Sequence, residues 1–535
     1  MSARSSIQRR FVAGLSASLV GLVASPALAT GFSDAGQDLH PRDKTEFDVH
    51  GYFRTRTEVL SNLDLDRGLT PSGQPLFPVP SGGGQNFFYG DLRFRTDFAA
   101  YALGGAVAVK ARIDMLDDVP MGGSPQGVPS GSSTQVAGGG GAFRIKRAWG
   151  EARTPIGIVA AGRMGNAWGL GMLANGGDCP DCDSGDAQDR IAFVTAVGGL
   201  IWAAAYDLSW IGPTDWRKDG VRQLGWAPST DVHTVTFAAM RWNDDLAHER
   251  RKAAGKATVN YGAYLSHRWQ TDDAPYAYLP IAASATPGTS PVMARGFTAT
   301  AIDGWLRFVA PGIRVEVEGA VLTTTIAQPS LLPGVSSNHD VKGTQIGVAL
   351  ESEFGEPTDA FSGGLDMGFA SGNDAPGFGV TSDPTAPLAK KGDLDGIQID
   401  LSNPNQRRAD AFRFHSDYRV DRILFREIIG TVTGAAYVRP HARFDLFKVG
   451  TGALRAMVAA IGSFADYTQN APGQKKPLGI EIDPTLAYTS HDGFGLALEY
   501  AVLFPLAGLD NPSVGAAGLT AKPAQLFRLR LAYAF

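Results

Sequence analysis

The sequence predicts an all-β protein: a transmembrane, antiparallel, up-and-down β-barrel of about 18 strands, with 16 as the alternative count. Three observations predict it. Apolar and polar residues alternate with period two in segment after segment, the joins between segments are short and long in turn, and the chain ends on an aromatic strand, Leu526 to Phe535.

The amino terminus comes first. Arg4, Arg9 and Arg10 precede an apolar stretch from Phe11 to Ala24, followed by Ala27-Leu28-Ala29. This is the plan of a signal peptide over residues 1–29, because the apolar run is shorter than the roughly 20 residues a spanning helix needs. Residues 30–46 then read as a periplasmic linker and 47–535 as the barrel with its loops. No later run reaches helix-spanning length. A mean hydropathy of -0.07 is what a barrel gives when lipid-facing and lumen-facing residues alternate. Gly (66) and Pro (32) supply turns. A net charge of -5 is small for 535 residues and gives no footprint for nucleic acid.

Each strand shows the same division. Phe47, Val49, Phe53, Thr55 and Val59 oppose Asp48, His50, Arg54, Arg56 and Glu58. Leu92, Phe94 and Phe98 oppose Asp91, Arg93, Arg95 and Asp97, while Val107, Val109, Ile113 and Met115 oppose Lys110, Arg112 and Asp114. Ile313, Val315 and Val317 oppose Arg314, Glu316 and Glu318; Phe527, Leu529, Leu531, Tyr533 and Phe535 oppose Arg528 and Arg530. Such a pattern puts apolar side chains on lipid and charges on water. Short joins, as at Thr154 to Gly157 and Pro311-Gly312, alternate with long ones such as Gly165 to Arg190 and Ser371 to Thr431, the longest. Asn243 to Gly255 breaks the rule, since it should be periplasmic and is long.

With that register the lumen has two walls. Arg54, Arg56, Arg93, Arg95, Lys110, Arg112, Arg147, Arg163, Arg528 and Arg530 form a pore-lining basic wall around the closure seam; Glu316, Glu318, Glu351, Glu353 and Asp366 form an acidic one opposite. Opposed walls would impose a transverse field and bias ion permeation. The competing reading is that these charges pair locally to fill a wet interior.

Two loops hold further candidates. Cys179 and Cys182 are the only cysteines, and an oxidising exterior favours a disulfide between them. The surrounding Asp178, Asp181, Asp183 and Asp186 are a weaker Ca²⁺ candidate, because the spacing lacks the Gly and Glu of an EF-hand. In the longest loop, Val420, Ile423, Leu424 and Ile428 fall on helical spacing before Gly430. That predicts a short amphipathic helix over 418–430 that caps or enters the pore, with a further stretch of barrel wall as the alternative. The motifs of nucleotide-binding enzymes, zinc proteases and serine hydrolases are absent, so no enzymatic role and no cofactor are expected.

The stretch Gly162-Arg163-Met164-Gly165 through Trp168-Gly169-Leu170-Gly171 resembles the strand ends of general porins and of alginate-export-type barrels. Asn175-Gly176-Gly177-Asp178-Cys179 with Cys182, and Phe414-His415-Ser416-Asp417-Tyr418 to Arg426-Glu427, resemble an uncharacterised outer-membrane family of myxobacterial type. The resemblance implies little chemistry; a barrel of this width with a charged lumen predicts a porin-like channel in the bacterial outer membrane for passive diffusion of small hydrophilic solutes or ions. Its partners would be outer-membrane lipid and, during biogenesis, the barrel-assembly machinery; a homo-oligomer is compatible, nucleic acid is not. An export pore for a polysaccharide, and an outer-membrane enzyme or structural barrel without an open channel, are the alternatives. An alginate-type path would be lined by arginine, and the acidic wall departs from that.

Overall fold

The structure is a computed structural model, described over residues 31–32, 35–73, 85–122, 143–209, 228–273, 293–329, 339–356, 358–378, 390–394 and 407–535. The expected signal peptide, residues 1–29, lies outside the described residues.

Eighteen antiparallel strands form one closed sheet. They run β1 (Glu46–Ser61), β2 (Asn86–Tyr101), β3 (Val107–Pro120), β4 (Arg144–Thr154), β5 (Gly157–Gly165), β6 (Ala187–Val197), β7 (Leu200–Ser209), β8 (Val232–Arg241) and β9 (Thr258–Asp273). The second half runs β10 (Met293–Ala310), β11 (Ile313–Ile326), β12 (Val341–Phe354), β13 (Phe361–Ala370), β14 (Ala435–Val449), β15 (Gly452–Ala465), β16 (Pro477–Ser490), β17 (Phe494–Pro505) and β18 (Ala524–Ala534). Consecutive strands pair, and β18 closes onto β1 with Arg530 opposite Arg56 and Arg528 opposite Glu58. Closure removes the sheet edges that hydrocarbon would leave unsatisfied. Phe535 completes the seam by exchanging backbone hydrogen bonds with Gly51. The count is therefore 18, not 16. The long join that broke the turn rule contains helix α1 (Asp245–Ala253), capped by the Asp244 carboxylate on the Ala247 amide, so its length needs no extra strand.

The outer face carries the predicted apolar residues: Phe47 is 64% exposed and Val49 55%, whereas Arg54 and Arg93 on the inner face are at 0%. A closed barrel with an apolar exterior is the form in which strands cross an outer membrane, and this protein is an outer-membrane β-barrel.

Among the described residues the interior departs from a plain wet lumen in three places. Loop L3, residues 166–186 between β5 and β6, and the described part of L7 from 407 to 434, between β13 and β14, both fold inward. L7 brings its own apolar core, in which Phe412, Phe414, Ile423, Leu424 and Phe425 pack with Tyr437, Ala459 and Ile461 of the wall. The predicted linker also enters: Phe32 and Leu39 are buried against inward-facing residues of β2 to β6.

Gly347 of β12 makes room for L7, since a Cβ there would fall inside the Phe412 ring. Gly347→Ala is expected to destabilise the folded barrel by about 1–3 kcal/mol, the usual cost of overpacking. The measurement is the urea midpoint of the gel-mobility shift between folded and unfolded forms; an unchanged midpoint would mean that Phe412 docks elsewhere.

Candidate pore constriction

L3 is laid against the basic wall by its own backbone. The carbonyl of Pro180 accepts from Arg54 at 2.9 Å and that of Gly177 from Arg95 at 2.9 Å, while Gly176 and Cys182 accept from Arg147 and Arg93. Its carboxylates do the rest. Asp178 pairs with Arg112 and, at 3.2 Å, with Arg147. Asp181 meets Arg56 and Arg530, each at 3.2 Å, and Arg426 of L7. Asp183 meets Arg56 and Arg419, each at 2.9 Å. Cys179 and Cys182 form the expected disulfide and close the turn that presents these groups.

The four candidate Ca²⁺ ligands thus do not converge on a cation. Asp178, Asp181 and Asp183 each face guanidinium groups, and Asp186 accepts from the Asn175 amide and lies 3.5 Å from His415. Among the described residues no group of metal-ligating side chains assembles. Electrostatics follow the geometry. Burial would raise the Asp181 carboxyl, but Arg426, Arg530, Arg528 and Arg56 hold it well below the usual range, and Asp183 is lowered against burial by Arg56 and Arg426.

The basic wall is consequently sealed. Arg54, Arg56, Arg93, Arg95, Lys110, Arg112, Arg147, Arg528 and Arg530 lie on the inner face, but none is more than 5% exposed. Wall acids that the sequence reading placed without assigning partners complete the network: Asp91 takes Arg56 at 2.7 Å, Asp97 takes Arg112 at 2.6 Å, Asp114 takes Arg95 at 2.7 Å, and Glu58 takes Arg528 at 2.6 Å. Arg163 does not belong to the wall. It points outward near the external end of β5, half exposed, and pairs with Asp189 at 2.8 Å, because Ala160 sets the inward parity of that strand.

The acidic wall is also neutralised locally. Glu316 accepts from Trp305 at 2.8 Å and Arg314 at 2.7 Å, Glu351 lies 3.3 Å from Arg314, Glu353 lies 3.8 Å from Arg443, and Asp366 lies 2.6 Å from Arg439. Glu318 does not face water at all: it accepts the backbone N–H groups of Leu170, Met172 and Leu173 and so fastens L3. Two free, opposed walls are therefore not what the lumen contains; local pairing is.

L7 is fastened in the same manner by Glu481 of β16, a residue the sequence reading assigned no role. Its carboxylate accepts from the amides of Arg422, Ile423 and Leu424 at 2.9, 2.8 and 3.1 Å. Asp417 joins the two loops by accepting from Asp183 and Ser184 of L3. The segment 418–430 enters the lumen as predicted, with Val420, Ile423 and Leu424 buried, but it is not an α-helix and not barrel wall. Only Leu424–Ile428 turns, as one wide π-type turn, because Asp421 bonds the Phe425 and Arg426 amides and Glu481 takes those before them. Burial pushes the Asp421 carboxyl up to about 7.

The class these features define is an outer-membrane barrel whose lumen is crossed by two in-folded loops. No family model and no curated sequence matches the chain. Among solved structures it is similar to OpdK of Pseudomonas aeruginosa with vanillate, at 10% identity and a TM-score of 0.43 over 91% of this chain and 98% of that one. It is similar to a variant of OccD1 (OprD), at 11% identity and 0.43 over 93% and 98%. In-vitro folded OmpT of Vibrio cholerae gives 8% and 0.35 over 93% and 100%. These likenesses are too distant to transfer chemistry, so the lumen's own residues carry the functional reading.

Proposed function

We propose that this protein is a porin-like channel for passive diffusion of small hydrophilic solutes or ions, with its bore set by L3 and L7. The observation that carries it is a charged inner face that stays partly open to solvent beside the loops. Side chains of Glu351, Glu353, Asp445 and Arg455 on β12 to β15 are 21%, 25%, 26% and 27% exposed, and that of Asp183 on L3 is 30% exposed. A ring of 18 strands is wide enough to hold both loops and an aqueous path. Export of an acidic polymer is not supported, since the arginines that would attract it are covered by L3. A closed barrel is the second reading, favoured by the burial of those same arginines.

Planar-bilayer recording separates the two. Purified protein is expected to give discrete conductance steps, and deletion of the inward excursion of L7, residues 409–433, is expected to enlarge them severalfold. Absence of current from both proteins would sink the channel reading.

A further inference from the structure

The two glutamates that fasten the loops share a second feature. Beside Glu318 lies Asp303 of β10, whose Oδ1 accepts from Trp168 Nε1 at 2.9 Å, while Oδ2 is fully buried with no N–H or O–H donor directed at it. Beside Glu481 lies Asp483, whose Oδ1 is likewise buried without a donor. Asp303 stands diagonally across from Glu318 on the inner face, and Asp483 follows Glu481 two residues along the same face of β16.

Two neighbouring buried carboxyls do not both ionise at low cost, and an oxygen that carries a proton becomes a donor. Each glutamate is already committed as an acceptor, Glu318 to three L3 amides and Glu481 to three L7 amides. The orphan aspartate oxygen is therefore the one that holds the proton. An unpaired polar oxygen in such a site would cost about 1–3 kcal/mol, and a second buried negative charge more.

We propose that Asp303 with Glu318, and Asp483 with Glu481, are proton-sharing latches that hold L3 and L7 across the lumen, so that loss of the shared protons releases the loops and widens the bore. The proposal rests on the channel reading only for its effect on current. The sign is set by the geometry: the proton belongs to the fastened state, so acid favours the narrow bore and rising pH the wide one.

The surroundings of the latches differ. The charges acting on Asp303 and Glu318 are each other's, and the remaining contacts are Trp168 and the L3 amides. Asp483 and Glu481 also face Asp421 and Arg422 of L7, Arg439 of β14 and Glu499 of β17, with Arg422 at 3.7 Å from Asp483. Arg422 and Arg439 favour loss of the proton there, while Asp421 and Glu499 oppose it.

Asparagine imitates the protonated acid, because its amide donates without a proton to lose. Conductance of the wild type is expected to rise between about pH 5 and pH 9, the span in which buried paired carboxyls ionise. Asp303→Asn and Asp483→Asn are each expected to remove part of that rise, and the double variant all of it, at a conductance near the acid value of the wild type. A flat or falling wild-type profile, or a double variant that keeps the rise, overturns the latches. Infrared titration gives a reading independent of current: the wild type in detergent should show a protonated-carboxyl band at neutral pH that fades in base and is diminished in each single variant. Lack of such a band at neutral pH overturns the proposal even if the channel conducts; a protein that passes no current at any pH, yet shows the band, fails the channel reading alone.

Discussion

Asp181→Ala is expected to lift L3 from the wall, at a local cost of about 3–5 kcal/mol, the range for removing one partner of a buried ion pair. Asp181 is 2% exposed and faces Arg56 of β1, Arg530 and Arg528 of β18 and Arg426 of L7. Its loss leaves four guanidiniums one carboxylate short in a site that excludes water, though Arg56 keeps Asp91 and Arg528 keeps Glu58, and that uncompensated charge costs more than the ion pairs are worth when intact. Relief comes from opening the loop, so the loss falls on L3 rather than on the strand ladders. Cleavage within 175–186 by added protease should accelerate about 100-fold or more, since each 1.4 kcal/mol is a factor of ten in the open population. Asp186→Ala is the control: that side chain is 34% exposed and bonds one amide, so its loss should stay within about 1 kcal/mol. Equal rates for the two variants would mean that the arginine cluster is not held by Asp181.

The same residue fixes how L3 responds to acid. Arg426, Arg530, Arg528 and Arg56 outweigh burial and hold Asp181 well below its ordinary value, so its contribution is fully present above the unfolded carboxylate range, about 3.9. It is lost only as the pH falls through the depressed folded value. Mild acid therefore leaves the arginine contacts intact while keeping the proposed latches protonated, and the bore should be narrowest there.

The barrel was legible in the sequence because period two is a local property. Phe527 and Arg528 are assigned to opposite faces by parity alone, and eighteen such segments imply closure without knowledge of any contact. Parity misleads at Arg163, whose short strand offers Gly162 and Met164 as weak markers of the inner face. The sealed lumen was not legible for a different reason. That Arg56 meets Asp181 depends on a contact 125 residues apart, and nothing in the alternation of β1 says that a loop will cover it. Acidic density in L3 was visible as Asp178, Asp181, Asp183 and Asp186, yet the same density fits a cation site or an arginine wall. The number of buried guanidiniums opposite was the missing discriminator. Glu318 and Glu481 look like any lumen acid in sequence; their role comes from three backbone amides each, which no side-chain pattern records.

Removal of residues 31–43 is expected to raise conductance while leaving the barrel folded. The described ones, 31–32 and 35–43, occupy the periplasmic mouth along β2 to β6. Leu39 is fully buried against Tyr101, Ala108 and Trp149, and Arg190 lies 5.2 Å from the Phe32 ring. The Gly36 amide donates to Glu151 at 3.0 Å, and Asp38 takes Lys110 at 2.9 Å and the Tyr101 hydroxyl at 2.7 Å. Burial of Leu39 and Phe32 contributes about 1.5–3 kcal/mol each, enough to keep the segment seated most of the time. The wall does not need it. Lys110 keeps Glu151 at 3.1 Å and Trp149 donates to Glu151 at 2.7 Å, so no charge is stranded when Asp38 leaves. Leu39→Asp tests the same point without a deletion, since an unpaired carboxylate will not enter that pocket. Acid should act in the same direction only when strong: Lys110 lowers the Asp38 carboxyl against burial, so its contact persists above about pH 3.9 and is lost below the depressed value. Single-channel steps of unchanged size in both variants would show that the solute path runs wholly along β12 to β15, clear of this segment.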